Sequence, residues 1–220
     1  MRRVFLAGLL LAPAPALAQR EDSQLWFQAN GSVPVAEDTQ VIVEAIGRFS
    51  DNAGGFAHNE IGGLLTHKAG DRFELALGYR HVEDYEQGRT KPNEERLRQQ
   101  VTMTVGHGFG IRFRLEERFH QRGREMGVRI RPQLRYTLPL GRAKNAPFLL
   151  ATAESFVNFN ATDWGQDRGV ERLRHTILVS LPLSSNLRGD VGYLNQYRFG
   201  RGGERDLMEH AATFALTLAL

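Results

Sequence analysis

The feature that most restricts this chain is an alternation of apolar and polar residues with period two, sustained over long runs and repeated along most of its length. From Ile111 to His120, one face carries Ile111, Phe113, Leu115 and Phe119, and the other carries Arg112, Arg114, Glu116, Arg118 and His120. The next run sets Val128, Ile130, Leu134, Tyr136 and Leu138 against Arg129, Arg131, Gln133, Arg135 and Thr137. Phe73, Leu75, Leu77 and Tyr79 oppose Glu74, Ala76, Gly78 and Arg80, and Phe214, Leu216, Leu218 and Leu220 oppose Thr213, Ala215, Thr217 and Ala219. Successive side chains of a β-strand point to opposite faces, so this pattern specifies strands, each with one oily and one polar side.

Eleven segments read as strands: 25–34, 39–49, 56–67, 72–83, 95–107, 110–121, 127–139, 147–159, 170–182, 187–199 and 207–220. Most are 10 to 15 residues long, whereas strands of soluble domains usually run to about 5–6. A strand crossing a bilayer at a tilt needs about 9–11. The connections alternate as well. Short turns at 68–71, 107–110, 182–186 and, somewhat longer, 139–146 are interleaved with polar loops at 50–55, 84–94, 122–126, 160–169 and 200–206. Short turns at one rim and longer loops at the other characterise outer-membrane barrels. The expected fold is therefore all-β: a transmembrane antiparallel up-and-down β-barrel of about ten strands, with twelve as the alternative. Segment 25–34 stands outside the ten, as an extra N-terminal strand or a plug.

Periodicity does not say which face is inside, but the content of the polar face does. It holds Glu44, Arg48, Glu60, Glu74, Arg80, Arg96, Arg98, Arg112, Arg114, Glu116, Arg118, Arg129, Arg131, Arg135, Glu154, Arg172, Arg174, Asp190 and Arg198, thirteen arginines against six carboxylates. Arginine dominates lysine there, and its planar fork of donors suits a crowded ion-pair network more than a solvated surface. The charged face is thus expected to line a lumen and the oily face to meet acyl chains. Lumen candidates, either for ion pairing or for an anion pathway, are Arg112, Arg114, Glu116, Arg118, Arg129, Arg131, Arg135, Arg172, Arg174 and Glu154.

The start of the chain reads as an export leader. Met1-Arg2-Arg3 precedes the apolar run Val4 to Ala12, prolines follow at 13 and 15, and Ala16-Leu17-Ala18 forms a cleavage site before Gln19. Residues 1–18 are expected to be removed and 19–220 to form one outer-membrane domain. Without Arg2 and Arg3, 26 basic residues face 25 acidic ones, a net charge of +1, so no nucleic-acid partner follows from the charge. The absence of cysteine excludes a disulfide framework, a thiolate metal site and a cysteine nucleophile. No cofactor or metal is expected. His and acidic residues lack zinc or EF-hand spacing, and the glycine-rich stretch 106–110 sits in a hairpin rather than before a phosphate-binding helix.

The chain resembles the family called domain of unknown function 2490. The resemblance is carried by Leu25-Trp26-Phe27, Leu77-Gly78-Tyr79-Arg80, the block Phe113 to Phe119, the block Leu134 to Leu140, the block Glu154 to Asn160, and Gly192 to Gln196. It covers nearly all of the chain after the leader. It implies an outer-membrane barrel and no particular activity. The implied partners are outer-membrane lipid and the barrel assembly machinery, although the chain ends in Leu220 and not in the aromatic residue common to such barrels.

Four functional readings follow. The first is a structural or passive-transport barrel with an Arg-rich lumen, mostly packed. The second is a narrow channel selective for small anions, since rings of arginine favour them. The third is a periplasmic lipocalin-like binding barrel. The fourth is an outer-membrane hydrolase, which would need a nucleophile beside one of the strand histidines, His120, His175 or His210. No Ser lies two residues from any of these on the same strand face, and Ser155, Ser180 and Glu154 could approach one only across strands. A non-enzymatic role is the expectation.

Overall fold

A computed structural model describes residues 20–143 and 145–220. The leader expected over 1–18 lies outside them. Among the described residues none is helical. The strands are β1 (Arg20–Ala36), β2 (Thr39–Ser50), β3 (Gly55–Ala69), β4 (Phe73–Glu86), β5 (Arg89–Thr90), β6 (Glu94–Gly106), β7 (Phe109–His120), β8 (Gly127–Pro139), β9 (Phe148–Asn158), β10 (Gly169–Pro182), β11 (Leu187–Arg198) and β12 (Leu207–Ala219). Each long strand pairs antiparallel with its neighbours in sequence, and β5 only extends a hairpin from β4. β1 closes the circle against β12, giving a barrel of eleven strands.

Eleven lies between the ten and twelve expected, and the seam explains the odd number. β1 runs parallel to β12 in unbroken register from Arg20↔Leu207 to Ser32↔Ala219, while every other pairing around the wall is antiparallel. Segment 25–34, set aside as an extra strand or plug, is the core of this wall strand. Because the number is odd, β1 begins at one rim and β12 ends at the other.

The two rims differ as the spacing of the turns indicated. One carries the tight connections 37–38, 70–72, 107–108 and 183–186, plus 140–147; it is called the turn rim below. The other, the loop rim, carries 51–54, 87–93, 121–126, 159–168 and 199–206. At the two-residue turn 107–108, His107 and Gly108 take φ of 51° and 84°, the left-handed pair that such a hairpin needs. A Cβ on Gly108 would stand 2.4 Å from the carbonyl oxygen of Thr137, so glycine is required there twice over.

The barrel is inverted relative to a soluble protein. Val43, Ile61, Leu65, Leu77, Phe113, Leu134, Ile177, Val191 and Leu216 all point outward and are roughly half exposed or more. Every residue of the nineteen-member polar face points inward. The buried apolar cluster is small, Trp26, Leu194 and Ala211, and it too lies inside the wall.

Candidate functional site: the charged lumen

The interior divides into two halves. Toward the loop rim, each strand contributes charged or amide side chains, and the most buried large ones of the molecule are here: Arg98, Arg129, Phe156, Gln196 and Glu116. Toward the turn rim the inner positions are mostly small or neutral: Asn30 and Ser32 on β1, Thr66 on β3, Ala76 on β4, Thr102 on β6, Thr152 on β9, Thr176 and Ser180 on β10, and Thr213 and Thr217 on β12.

Three carboxylates organise the densest part of the loop half. Glu116 accepts from Arg129 at 2.5 Å and from Arg131 at 2.7 Å. Glu154 accepts from Arg112 at 2.5 Å and from Arg131 at 3.0 Å, with Arg174 3.8 Å away. Glu94 accepts from Arg96 at 2.5 Å and Arg118 at 2.7 Å. Across the lumen, Glu44 takes Arg80 at 2.7 Å and Arg98 at 2.6 Å, and Glu60 takes Arg48 at 2.6 Å, His58 at 2.7 Å and Arg80. These shared carboxylates do for the barrel what an apolar core does elsewhere. Buried charges are tolerated only when paired and hydrogen-bonded.

Aromatic faces support the cations. Four guanidinium carbons sit around the ring of Phe156, Arg131 at 4.1 Å, Arg174 at 4.8 Å, Arg172 at 5.0 Å and Arg129 at 5.3 Å. Arg48 lies 3.8 Å from the ring centroid of Trp26, and Arg174 4.9 Å. Such contacts are worth up to about 2 kcal/mol when desolvated.

The structure brings nine of the ten lumen candidates into this network: Arg112, Arg114, Glu116, Arg118, Arg129, Arg131, Glu154, Arg172 and Arg174. Arg135 shares their inner face but stands apart, and no carboxylate among the described residues lies within 4 Å of it. The excess of thirteen arginines over six carboxylates is smaller than the strand pattern indicated, because Asp22, Asp84, Glu94, Glu171 and Glu209 also face inward. Arg198 pairs with Glu209 at 2.7 Å, and Arg129 with Glu171 at 3.0 Å. The charge pattern does not mark Phe156, Trp26 and the amides Gln100 and Gln196 as parts of the lumen either. Phe156 and Trp26 were visible in principle, since each shares a strand face with polar residues two positions away.

The loop rim is partly covered. Loop 159–168 folds over the mouth and is tied to loop 121–126 by backbone N–H groups of Arg124 and Glu125 donating to Asp163, at 3.0 and 3.3 Å, and by Trp164 Nε1 donating to Glu125 O at 2.7 Å. Chiefly the hydrogen bond from the backbone of Arg124 holds the Asp163 carboxyl below its ordinary value. Gln166, 4% exposed, reaches into the lumen and accepts from Arg118 Nη1 at 2.7 Å. Trp164 stacks on His120 with ring centroids 5.2 Å apart. Within the network, a cavity of about 490 Å³ lined largely by its arginines and carboxylates runs toward the turn half, where Gln28, Asn30, Gln133, Thr176, Asp190 and Thr213 complete its lining.

The histidines weighed for hydrolysis are dispersed. His120 is at the mouth under Trp164. His175 and His210 face outward, and His210 Nδ1 is 2.5 Å from the Tyr193 hydroxyl. The wall separates both from Ser180 and Glu154, which face inward.

The family model described as Protein of unknown function (DUF2490) matches residues 23–207. This chain belongs to that family. An uncharacterized protein of Methylorubrum extorquens is 31% identical over 203 residues, covering 88% of each chain. No solved structure matches. The matched region of the DUF2490 chain takes in the wall from β1 to the start of β12, and with it nearly all of the lumenal network.

Proposed function

We propose that this DUF2490 protein is an outer-membrane β-barrel whose packed, charged lumen gives it a structural or passive-transport role. One observation carries the reading: the closed wall wears its apolar side chains outside and its guanidinium and carboxylate groups inside. A bilayer leaves exposed backbone groups unsatisfied, so only a helix or a closed barrel suits it, and the unbroken circle of strands meets that demand. An exposed apolar surface of this extent on a soluble monomer would be a liability. Aromatic side chains gather near both rims, Phe49, Phe56 and Tyr85 by the loops and Phe109 with Tyr136 by the turns, as in interfacial girdles.

In this reading the turn rim faces the periplasm and the loop rim faces outward. The start of β1 is then at the cell surface and the end of β12 in the periplasm. The test is fractionation of cells expressing the full chain. The protein is expected in outer membranes, extractable only with detergent and migrating differently in SDS before and after boiling. A tag inserted just before Arg20 is expected to be accessible to protease on intact cells, and a tag after Leu220 is not. A freely soluble monomer overturns the proposal.

The excess of arginine in the cavity lining supports a second reading, a narrow conduit for small anions. Planar-bilayer recordings decide it. Arg112, Arg114 and Arg131 replaced together by Gln would lower anion over cation permeability, and a parent protein without current removes the conduit.

A further inference from the structure

We propose that the lumenal cavity binds a small tetrahedral oxyanion, of the phosphate or sulfate class, between Arg112, Arg114, Arg131 and Arg174. This deepens the reading of the lumen given above, but it rests on the cavity and not on the membrane around it.

Arg114 and Arg174 carry the inference. Both line the cavity. Neither has a carboxylate oxygen within hydrogen-bond distance. The nearest is Glu116 at 3.9 Å for Arg114 and Glu154 at 3.8 Å for Arg174. Each is instead clasped by a neutral amide. Arg114 Nε and Nη2 donate to Gln100 Oε1 at 3.0 and 2.8 Å, and Arg174 Nε and Nη2 donate to Gln196 Oε1 at 2.9 and 2.6 Å. The clasp fixes the guanidinium plane and occupies one edge with a neutral acceptor, leaving the charge without a hydrogen-bonded carboxylate. Aromatic faces pin Arg174 further, Trp26 at 4.9 Å and Phe156 at 4.8 Å. Two oriented cations whose nearest carboxylates stand beyond hydrogen-bond reach, and are already held by other arginines, are a built receptor, not a loose surface charge.

Of their neighbours, Arg131 is satisfied by Glu116 and Glu154, but Arg112 has only a share of Glu154, and its buried Nε meets no acceptor among the described residues. Eleven arginines line the cavity against six carboxylates. Even with Glu116, Glu171 and Glu209, which face inward beside the cavity, counted as well, positive charge remains in excess. A buried charge is costly until it is paired, so an anion entering here gains from every unmatched N–H.

Geometry favours an oxyanion over a halide. Arg114 and Arg174 keep Nη1 clear of the amide clasp, and a guanidinium edge aims parallel N–H groups at two oxygens of one anion, a contact that a single spherical ion does not reproduce. The volume of about 490 Å³ is ample for phosphate, and the neutral donors Gln133, Thr176 and Thr213 stand on the same cavity wall.

The experiment uses the full chain folded in detergent micelles. The sequence has two tryptophans, so Trp164→Phe leaves Trp26, which touches Arg174, as the reporter. Phosphate, sulfate, acetate and chloride are titrated at fixed ionic strength, with phenyl phosphate as a separate arm. Phosphate or sulfate is expected to give a saturable fluorescence change that chloride does not. Tighter binding of phenyl phosphate would identify the phosphate end of a larger molecule as the natural ligand, and tighter binding of the inorganic ion would identify the free anion. Arg114→Gln and Arg174→Gln are each expected to weaken binding at least tenfold. Glu154→Gln, which removes the competing carboxylate, is expected to tighten it several-fold, and Arg135→Gln to leave it unchanged. Arg114→Lys keeps the charge and guards against a variant that does not fold; it is expected to retain part of the affinity. A phosphate response that superimposes on chloride, or one indifferent to both Arg114 and Arg174, overturns the proposal. A soluble barrel that still binds phosphate would sink only the membrane reading, and a membrane barrel with a flat titration would sink only this one.

Discussion

The loop half and the turn half of the lumen are built from the same strands by different chemistry. In the loop half, Arg98, Arg129, Glu116 and Gln196 are almost wholly buried, and cohesion comes from carboxylates each serving two or three guanidinium groups. In the turn half, threonine, serine, asparagine and alanine line a wall that the cavity reaches into. The difference teaches that an inverted barrel has two ways of managing its interior. It can fill the lumen with ions that neutralise one another, or leave room beside small neutral groups. Only the first makes individual residues energetically decisive, because removing one partner strands the others.

The sharpest way to break this comparison is to remove one polar partner from each half. Glu116→Gln leaves Arg129 and Arg131 without their shared counter-charge and is expected to cost about 3–5 kcal/mol, the usual penalty for breaking a buried pair. Thr217→Val in the turn half, which loses the hydrogen bond that Asn30 Nδ2 donates to Thr217 Oγ1 at 3.2 Å, should cost about 1 kcal/mol by the same urea unfolding of the folded barrel, the worth of one ordinary hydrogen bond. Equal costs would erase the distinction. Phe156→Leu keeps an apolar side chain but removes the face shared by four arginines, and a loss of about 2 kcal/mol is expected. A neutral result would mean that the ring is only a spacer.

Smaller effects concern the lid that covers the loop half. Gln166→Ala removes the bond to Arg118 but leaves that arginine its two contacts with Glu94. Global stability should fall by about 1 kcal/mol or less, while Trp164 becomes more accessible to acrylamide quenching. Unchanged quenching would show that the loop holds without its inward anchor. The weakest effect is that of acid. Asp163 has a carboxyl held below its ordinary value of 3.8 by the Arg124 and Glu125 backbone. A depressed carboxylate contributes stability above its unfolded value, and loses it as pH falls through the folded one. The tie between loops 121–126 and 159–168 is therefore expected to persist at pH 5 and loosen below about pH 4, with Trp164 emission shifting to the red. Asp163→Asn should flatten that shift, and a shift that survives in Asp163→Asn assigns it to another group.

Much of this was legible in the chain. Alternation located the strands and sorted all nineteen polar-face residues to the inside, because period two is a direct image of strand geometry. Nine of ten lumen candidates joined the network for the same reason. Glu171 escaped because β10 has an irregularity between Val170 and Arg172 where it pairs with β9, and a bulge breaks the alternation that reveals a face. Glu94 had been assigned to a loop, yet it is the first residue of β6. The strand count was ambiguous for a different reason. A parallel and an antiparallel neighbour demand the same alternation from a strand, so nothing in Leu25 to Pro34 says which way its partner runs. Which arginine meets which carboxylate depends on register around a closed circle, and that is not written in any single strand.

The parallel seam has a consequence for engineering. Most compact folds tolerate circular permutation because their termini lie near one another. Here Arg20 and Ala219 belong to neighbouring strands but stand at opposite rims. A linker joining them would have to climb the full height of the wall, roughly 30 Å, or about ten extended residues. It would also run across either the oily exterior or the guanidinium-filled bore. A barrel with an even number of strands can be cut and rejoined at one rim, whereas this one has a built-in direction that reshuffling its strands cannot remove.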